Sequence, residues 1–174
     1  MVKFYQGGVY LKEYLLSVSV LLCMIVVVGC NDPEKIEQGE FLLGEFGADF
    51  KEQTYHLVVP IEWTGESPIE IKSIQIIKDN DKPVTKEEDG IEFKVFGADP
   101  LKQTGIYSEP NIGEFKDIKD IEIDGEAKLV FKFSLKDVKK DNNRRLKIQF
   151  NINQKESEQI VVWKTLEQLA TDSN

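Results

Sequence analysis

LVFKFSL at residues 129–135, KDVKKDNNRR at 136–145 and LKIQFNI at 146–152 form the stretch of this sequence that decides its fold. In the two flanks apolar residues stand at every second position: Leu129, Phe131, Phe133 and Leu135, then Leu146, Ile148, Phe150 and Ile152. A strand turns successive side chains to opposite faces, so this alternation describes two strands with one buried face each. The mostly polar segment between them predicts a hairpin with a long tip.

Working outward, the same period recurs. Tyr55, Leu57, Val59, Ile61 and Trp63 alternate with Thr54, His56, Val58, Pro60 and Glu62. Pro60 cannot donate to a ladder, which places that strand at an edge or a bulge. Ile69 and Ile71 are followed by Ile74 and Ile76, a phase shift that predicts a bulge near Ser73. Ile91, Phe93 and Val95 mark another strand, and 159–164 a last one, with Ile160 and Val162 on one face and Val161 and Trp163 on the other, partly covered on both sides. Residues 41–46 and 118–123 bring the total to about eight, and only TLEQLA at 165–170 has the pattern of a helical turn. Many short strands in one domain predict an all-β chain, an antiparallel β-sandwich of immunoglobulin-like type, with a small barrel as the alternative. The Cys…Trp…Cys pattern of true immunoglobulin domains is absent.

The 174 residues hold 22 Lys and Arg against 31 Asp and Glu, a formal net charge of −9. Such a balance disfavours nucleic acid, whose binding rests on clustered cations neutralising phosphates. The first 29 residues run in a different order: lysines at Lys3 and Lys12, an apolar stretch, then Val27-Val28-Gly29-Cys30. Those four residues resemble the bacterial lipobox. The resemblance implies a signal peptide over 1–29, cleavage before Cys30, and a diacylglycerol on the Cys30 sulfur; two acyl chains are what stable anchoring takes. An uncleaved signal anchor is the alternative, and both place the domain outside the membrane. Cys23 follows the bulky Leu22 and reads as apolar filler, so the mature chain keeps a single, lipidated cysteine and no disulfide. NDPEKIEQG completes a polar tether over 30–39, and the domain occupies 40–174. As a whole the chain resembles small membrane lipoproteins of Gram-positive, Bacillus-like bacteria, which implies a place: the outer face of the cytoplasmic membrane.

The chemistry-bearing residues are few. His56 is the only histidine, and no G-x-S-x-G elbow is present, so a nucleophilic triad has little to build on. Without further His or free Cys, zinc, copper and haem lack ligands, and no cofactor is expected. Asp79-Asn80-Asp81 alternates like a calcium loop, but Lys82 and Pro83 follow where that pattern requires a ligand and a glycine; a solvated turn is the plainer reading. Trp63 and Trp163 are placed by period in or near the core, with sugar stacking as the alternative if they prove exposed.

Two features stand out as candidate interaction surfaces. FGADFKEQT at 46–54 repeats as FGADPLKQT at 96–104, putting Phe46 and Asp49 in one loop and Phe96 and Asp99 in another. Turn chemistry explains the likeness, since Gly accepts positive φ and Asp bonds its own downstream backbone; paired binding loops are the functional reading. The tip at 136–145 carries Lys139, Lys140, Arg144 and Arg145, including the only two arginines; a solvated loop whose charges pair with neighbouring acids is the plainer reading, and contact with a wall polymer or lipid headgroups the functional one. Function is therefore expected to be non-enzymatic: a lipid-anchored interaction module that meets another envelope protein through its loops, the residue 101–113 segment or the Pro60-bearing edge. Contact with wall polymer or headgroups is the alternative, and a small hydrolase the third reading. Oligomeric state is open.

Overall fold

In chain order the computed structural model has strands β1 (Phe41–Leu43), β2 (Thr54–Trp63), β3 (Ile69–Lys78), β4 (Ile91–Gly97), β5 (Gly105–Tyr107), β6 (Lys116–Asp117), β7 (Glu122–Ile123), β8 (Glu126–Leu135), β9 (Arg144–Ile152) and β10 (Lys155–Val161). Two single-turn helices, α1 (Lys86–Asp89) and α2 (Lys164–Glu167), and one 3-10 turn (Ile118–Asp120) punctuate them. The structure describes residues 39–99, 101–107 and 115–171. The expected signal peptide, Cys30, all of the expected tether but Gly39, and residues 108–113 of the 101–113 segment lie outside the described residues.

The all-β expectation stands, as two antiparallel sheets. One is ordered β1–β2–β8–β4–β6 with β5 also on β2; the other is ordered β10–β9–β3–β7. Both turn their period-2 apolar faces to one core, where Leu57, Val59, Ile61, Leu129, Phe131 and Phe133 of the first sheet meet Ile69, Ile71, Ile76, Leu146, Ile148 and Phe150 of the second. Trp63 and Trp163 are buried in it. The count exceeds eight by β5 and β6, which hold three and two residues, too few to show a period; of the strand expected over 118–123 only β7 forms, since Ile118–Asp120 is the 3-10 turn.

The 129–152 stretch does not form a hairpin. Strand β8 lies in the first sheet and β9 in the second, so residues 136–143 arch across the core from one layer to the other. Period-2 alternation shows that each strand has a buried face but not whether two such strands pair edge to edge or face each other, and here they face each other. Val138 plugs the arch fully buried, its N–H donating to Thr171 Oγ1 at 2.9 Å. The true hairpin is β9–β10, closed by Asn153 and Gln154, both left-handed at φ 50° and 64°, the geometry of a type I′ turn.

The bulge read near Ser73 is present as a register shift against β9 between Ile71 and Ser73. Pro60 does not lie on an edge strand: β8 pairs one side of β2, and β1 and β5 pair the other. The Pro60 carbonyl accepts from Gly44 N at 3.0 Å, so its ring nitrogen points to the same side of β2, where the ladder passes from β1 to β5. The missing donor falls in that gap, and short strands cover the rest of that side. The last strand spans 155–161 rather than 159–164; Ile160 and Val162 are 51 % and 60 % exposed, so it is open on that face, not covered on both. The helical turn read in TLEQLA appears as α2, one residue earlier. Gly90 ends α1 at φ 70°, where a Cβ would stand 1.8 Å from the Lys136 carbonyl oxygen; only glycine fits there.

Candidate functional site

One end of the domain gathers the loop before β2, the arch and α2. Leu135 N donates to the Gln53 carbonyl at 3.1 Å and Asp137 N to Glu52 Oε1 at 3.1 Å, tying the loop to the arch. Phe46 N donates to Thr165 Oγ1 at 2.7 Å, tying it to α2. Phe46, Gly47, Ala48, Asp49, Phe50, Lys140, Thr165 and Gln168 then line a cleft of about 470 Å³. Three residues singled out in the sequence, Phe46, Asp49 and Lys140, are thus brought together.

The second copy of the repeat is elsewhere. Phe96 lies within β4 opposite Val130, while Thr54, which ends the first copy, lies opposite Ser134 on the same β8. Counting along β8 from Ser134 to Lys128, whose carbonyl accepts from Ala98 N, the two copies sit at opposite ends of the sheet, roughly 20 Å apart at about 3.3 Å per residue. Phe96 and Asp99 therefore cannot share a binding surface with Phe46 and Asp49. The Asp99 carboxylate accepts from Leu101 N at 2.9 Å, a turn role in the second copy.

The basic tip is likewise dismantled. Arg144 is 2 % exposed, and its guanidinium donates through Nη1 to the carbonyls of Leu169 at 2.8 Å and Leu166 at 3.4 Å, and through Nη2 to that of Lys139 at 2.5 Å. It staples α2 and the arch to the start of β9, while its Nε is buried without a hydrogen-bond partner among the described residues. Burial lowers the guanidinium's pKa, opposed by the charges of Asp141 and Asp89. Arg145 pairs with Glu167 at 2.7 Å and Asp79 at 3.3 Å. Of the four cations only Lys139 and Lys140 face solvent. Arg144 is in phase with Leu146, Ile148, Phe150 and Ile152, so the β9 alternation carried two residues back places it inside; that signal was available in the sequence.

At the same end Asp89 accepts from Lys78 Nζ at 2.7 Å and from Thr85 N at 3.0 Å. Burial alone would raise its pKa, but the Lys78 hydrogen bond, the Thr85 N–H and the Lys78 and Arg144 charges outweigh burial and hold it below the usual range. The Asp79–Asp81 segment takes structural roles: Asp79 meets Arg145, and Asn80 Oδ1 accepts from Lys82 N at 3.2 Å. Among the described residues no group of three or more His, Cys, Asp or Glu side chains is placed to hold a metal ion.

His56, expected to be partly exposed, is buried at 3 % exposure on the outer face of the first sheet. Strand β5 pairs alongside it, and the Phe115 ring stacks on it at 6.0 Å. A second small cluster of Val58, Ala98 and Val130, with Phe96 and Tyr107 packed against it, fills the same face. Its imidazole pKa is lowered by burial first and the Lys132 charge second, and its Nδ1 lacks a hydrogen-bond partner among the described residues. No family model, curated protein or solved structure matches the chain. The fold and the cleft thus define a two-sheet antiparallel β domain with a polar recess at one end.

Proposed function

We propose that the chain is a lipid-anchored, extracytoplasmic interaction module of the cell envelope, non-enzymatic, built on an immunoglobulin-like sandwich and held to the outer face of the cytoplasmic membrane through Cys30. The observation that carries the reading is the convergence of Phe46, Asp49 and Lys140 on one cleft at an end stapled by Arg144. Loops fixed on a rigid scaffold commonly carry recognition. Strand β1 begins opposite Trp63 and runs toward the cleft loop, so the side on which the tether joins and the cleft are at opposite ends of the domain. An anchored domain of this layout presents its cleft away from the bilayer to another envelope protein.

Contact with wall polymer or headgroups through the 136–145 tip is not carried forward in that form, because Arg144 and Arg145 are engaged internally. Among the described residues the hydrolase reading finds no support at His56, whose neighbours there are the Phe115 ring, Tyr107 and Lys132. The test is capture of partners from solubilised membranes by the lipidated protein. Replacing Asp49 and Lys140 together by Ala should abolish capture, while Asp99→Ala should leave it intact. Capture unchanged by the cleft pair would refute the assignment.

A further inference from the structure

Across the outer face of the first sheet, Tyr107 of β5, His56 of β2, Lys132 of β8 and Lys94 of β4 stand in one transverse row, each directly opposite the next. Like charges directly opposite on neighbouring strands destabilise a sheet, so the Lys132–Lys94 pair is unfavourable for folding. Neither ammonium is ion-paired or hydrogen-bonded within the described residues. The acid beside them, Glu92, is held by Lys86 Nζ at 2.8 Å. Glu92 is thus one carboxylate among three lysine charges, those of Lys86, Lys94 and Lys132, and in a chain of net charge −9 this local excess of positive charge suits an anionic ligand.

Glu92, Phe93, Lys94, Lys132 and Ser134 line a hollow of about 90 Å³. We infer that this hollow binds a phosphate group, with the ammoniums of Lys94 and Lys132 and the hydroxyl of Ser134 donating to its oxygens. The hollow is open to solvent and roomy enough to admit a tetrahedral oxyanion. Ser134 Oγ lies 3.1 Å from Thr54 Oγ1, so it can accept from Thr54 and donate into the hollow. Two point charges and a hydroxyl suit an anion that brings several acceptor oxygens and up to two negative charges. The Glu92 carboxylate opposes an anion here, and its hydrogen bond to Lys86 offsets that charge. The site is independent of the end cleft and of the partner proposed for it.

His56, the only histidine, is the reporter. Besides Lys132 it faces Tyr107 from β5 and the Phe115 ring. A phosphate that neutralises Lys132 removes one of the two influences holding the imidazole below its ordinary value, so the His56 titration should move up. The experiment follows the His56 imidazole by NMR in the full chain in neutral detergent, adding sodium phosphate, then glycerophosphoglycerol, each against sodium chloride at matched ionic strength. The expected result is a saturating rise in the His56 titration midpoint, with affinity about tenfold weaker in Lys94→Gln, the loss of one charge-assisted contact. Response to phosphate alone identifies the free ion as the ligand; response to the diester as well identifies a headgroup or polymer source. A response no larger than chloride gives, or one unchanged in Lys94→Gln, overturns the site. Lys94→Glu serves as the folding control: it should raise the urea midpoint by removing the like-charge pair while abolishing the response.

Discussion

Arg144→Met separates a structural staple from a ligand-contacting cation. The substitution keeps much of the volume and apolar stem but deletes the guanidinium that holds the carbonyls of Leu169 and Lys139 at 2.8 and 2.5 Å and, more weakly, that of Leu166 at 3.4 Å. Hydrogen bonds from a charged donor contribute about 1.5–3 kcal/mol each. The two short ones therefore total about 3–6 kcal/mol, and relief of a buried charge offsets part of that. A net loss of about 3 kcal/mol is expected, a large share of the roughly 5–15 kcal/mol typical of a whole domain. With a urea slope of about 2 kcal/mol/M the midpoint should fall by about 1.5 M. Equilibrium unfolding followed by the fluorescence of Trp63 and Trp163, both buried, reads it directly. Lys139→Gln and Lys140→Gln, on exposed side chains, should move the midpoint by less than about 0.3 M. An Arg144→Met midpoint equally close to wild type would refute the staple.

Gln154→Gly should stabilise the domain by about 0.5–1 kcal/mol, since relief of left-handed strain at φ 64° exceeds the entropy glycine adds to the unfolded chain; a drop in thermal midpoint would contradict the I′ turn. His56 has a folded pKa below its ordinary 6.5, so the unfolded chain takes up the proton first. Stability is then full above pH 6.5 and falls as pH drops toward the folded value, with a limiting slope of about 1.4 kcal/mol per pH unit. That slope should vanish in His56→Asn, and its persistence would show that other groups carry it. Asp89, held below its ordinary 3.8, adds stability present above that pH and lost in stronger acid, so Asp89→Asn should flatten the acid limb of the urea midpoint. Cys30→Ser should abolish palmitate labelling and release the chain from the membrane fraction; continued labelling would place the lipid elsewhere.

The period-2 runs in β2, β3, β8 and β9 made the strands and most of the core legible, because burial on one face imposes that spacing wherever one face is solvated. Partnership was not legible. Leu129–Leu135 and Leu146–Ile152 carry the same alternation whether they pair or face each other, and only Val138, fully buried within a polar run, hints that the connection crosses the core. The bulge at Ser73 could be read because it shifts a long phase; β5 and β6 could not, being too short to show one. Arg144 was misread by residue type although its phase matched the core, a case in which position outweighs polarity once carbonyls are at hand to satisfy the charge. The Phe46 and Phe96 repeats looked equivalent as strings, yet one lies in a loop and the other within a strand at the far end of the sheet. The Lys94–Lys132 row depends on register between β4 and β8, which no local pattern encodes.

The proposal of an anchored interaction module is tested most directly by a photo-crosslinking side chain placed at Lys140 in intact cells, compared with one at Asp124 at the opposite end. Both positions are exposed, and only the first lines the cleft. One dominant protein adduct from position 140, missing from position 124 and from the Cys30→Ser form, is the predicted result. Identical adducts from both positions, or none from either, would contradict it.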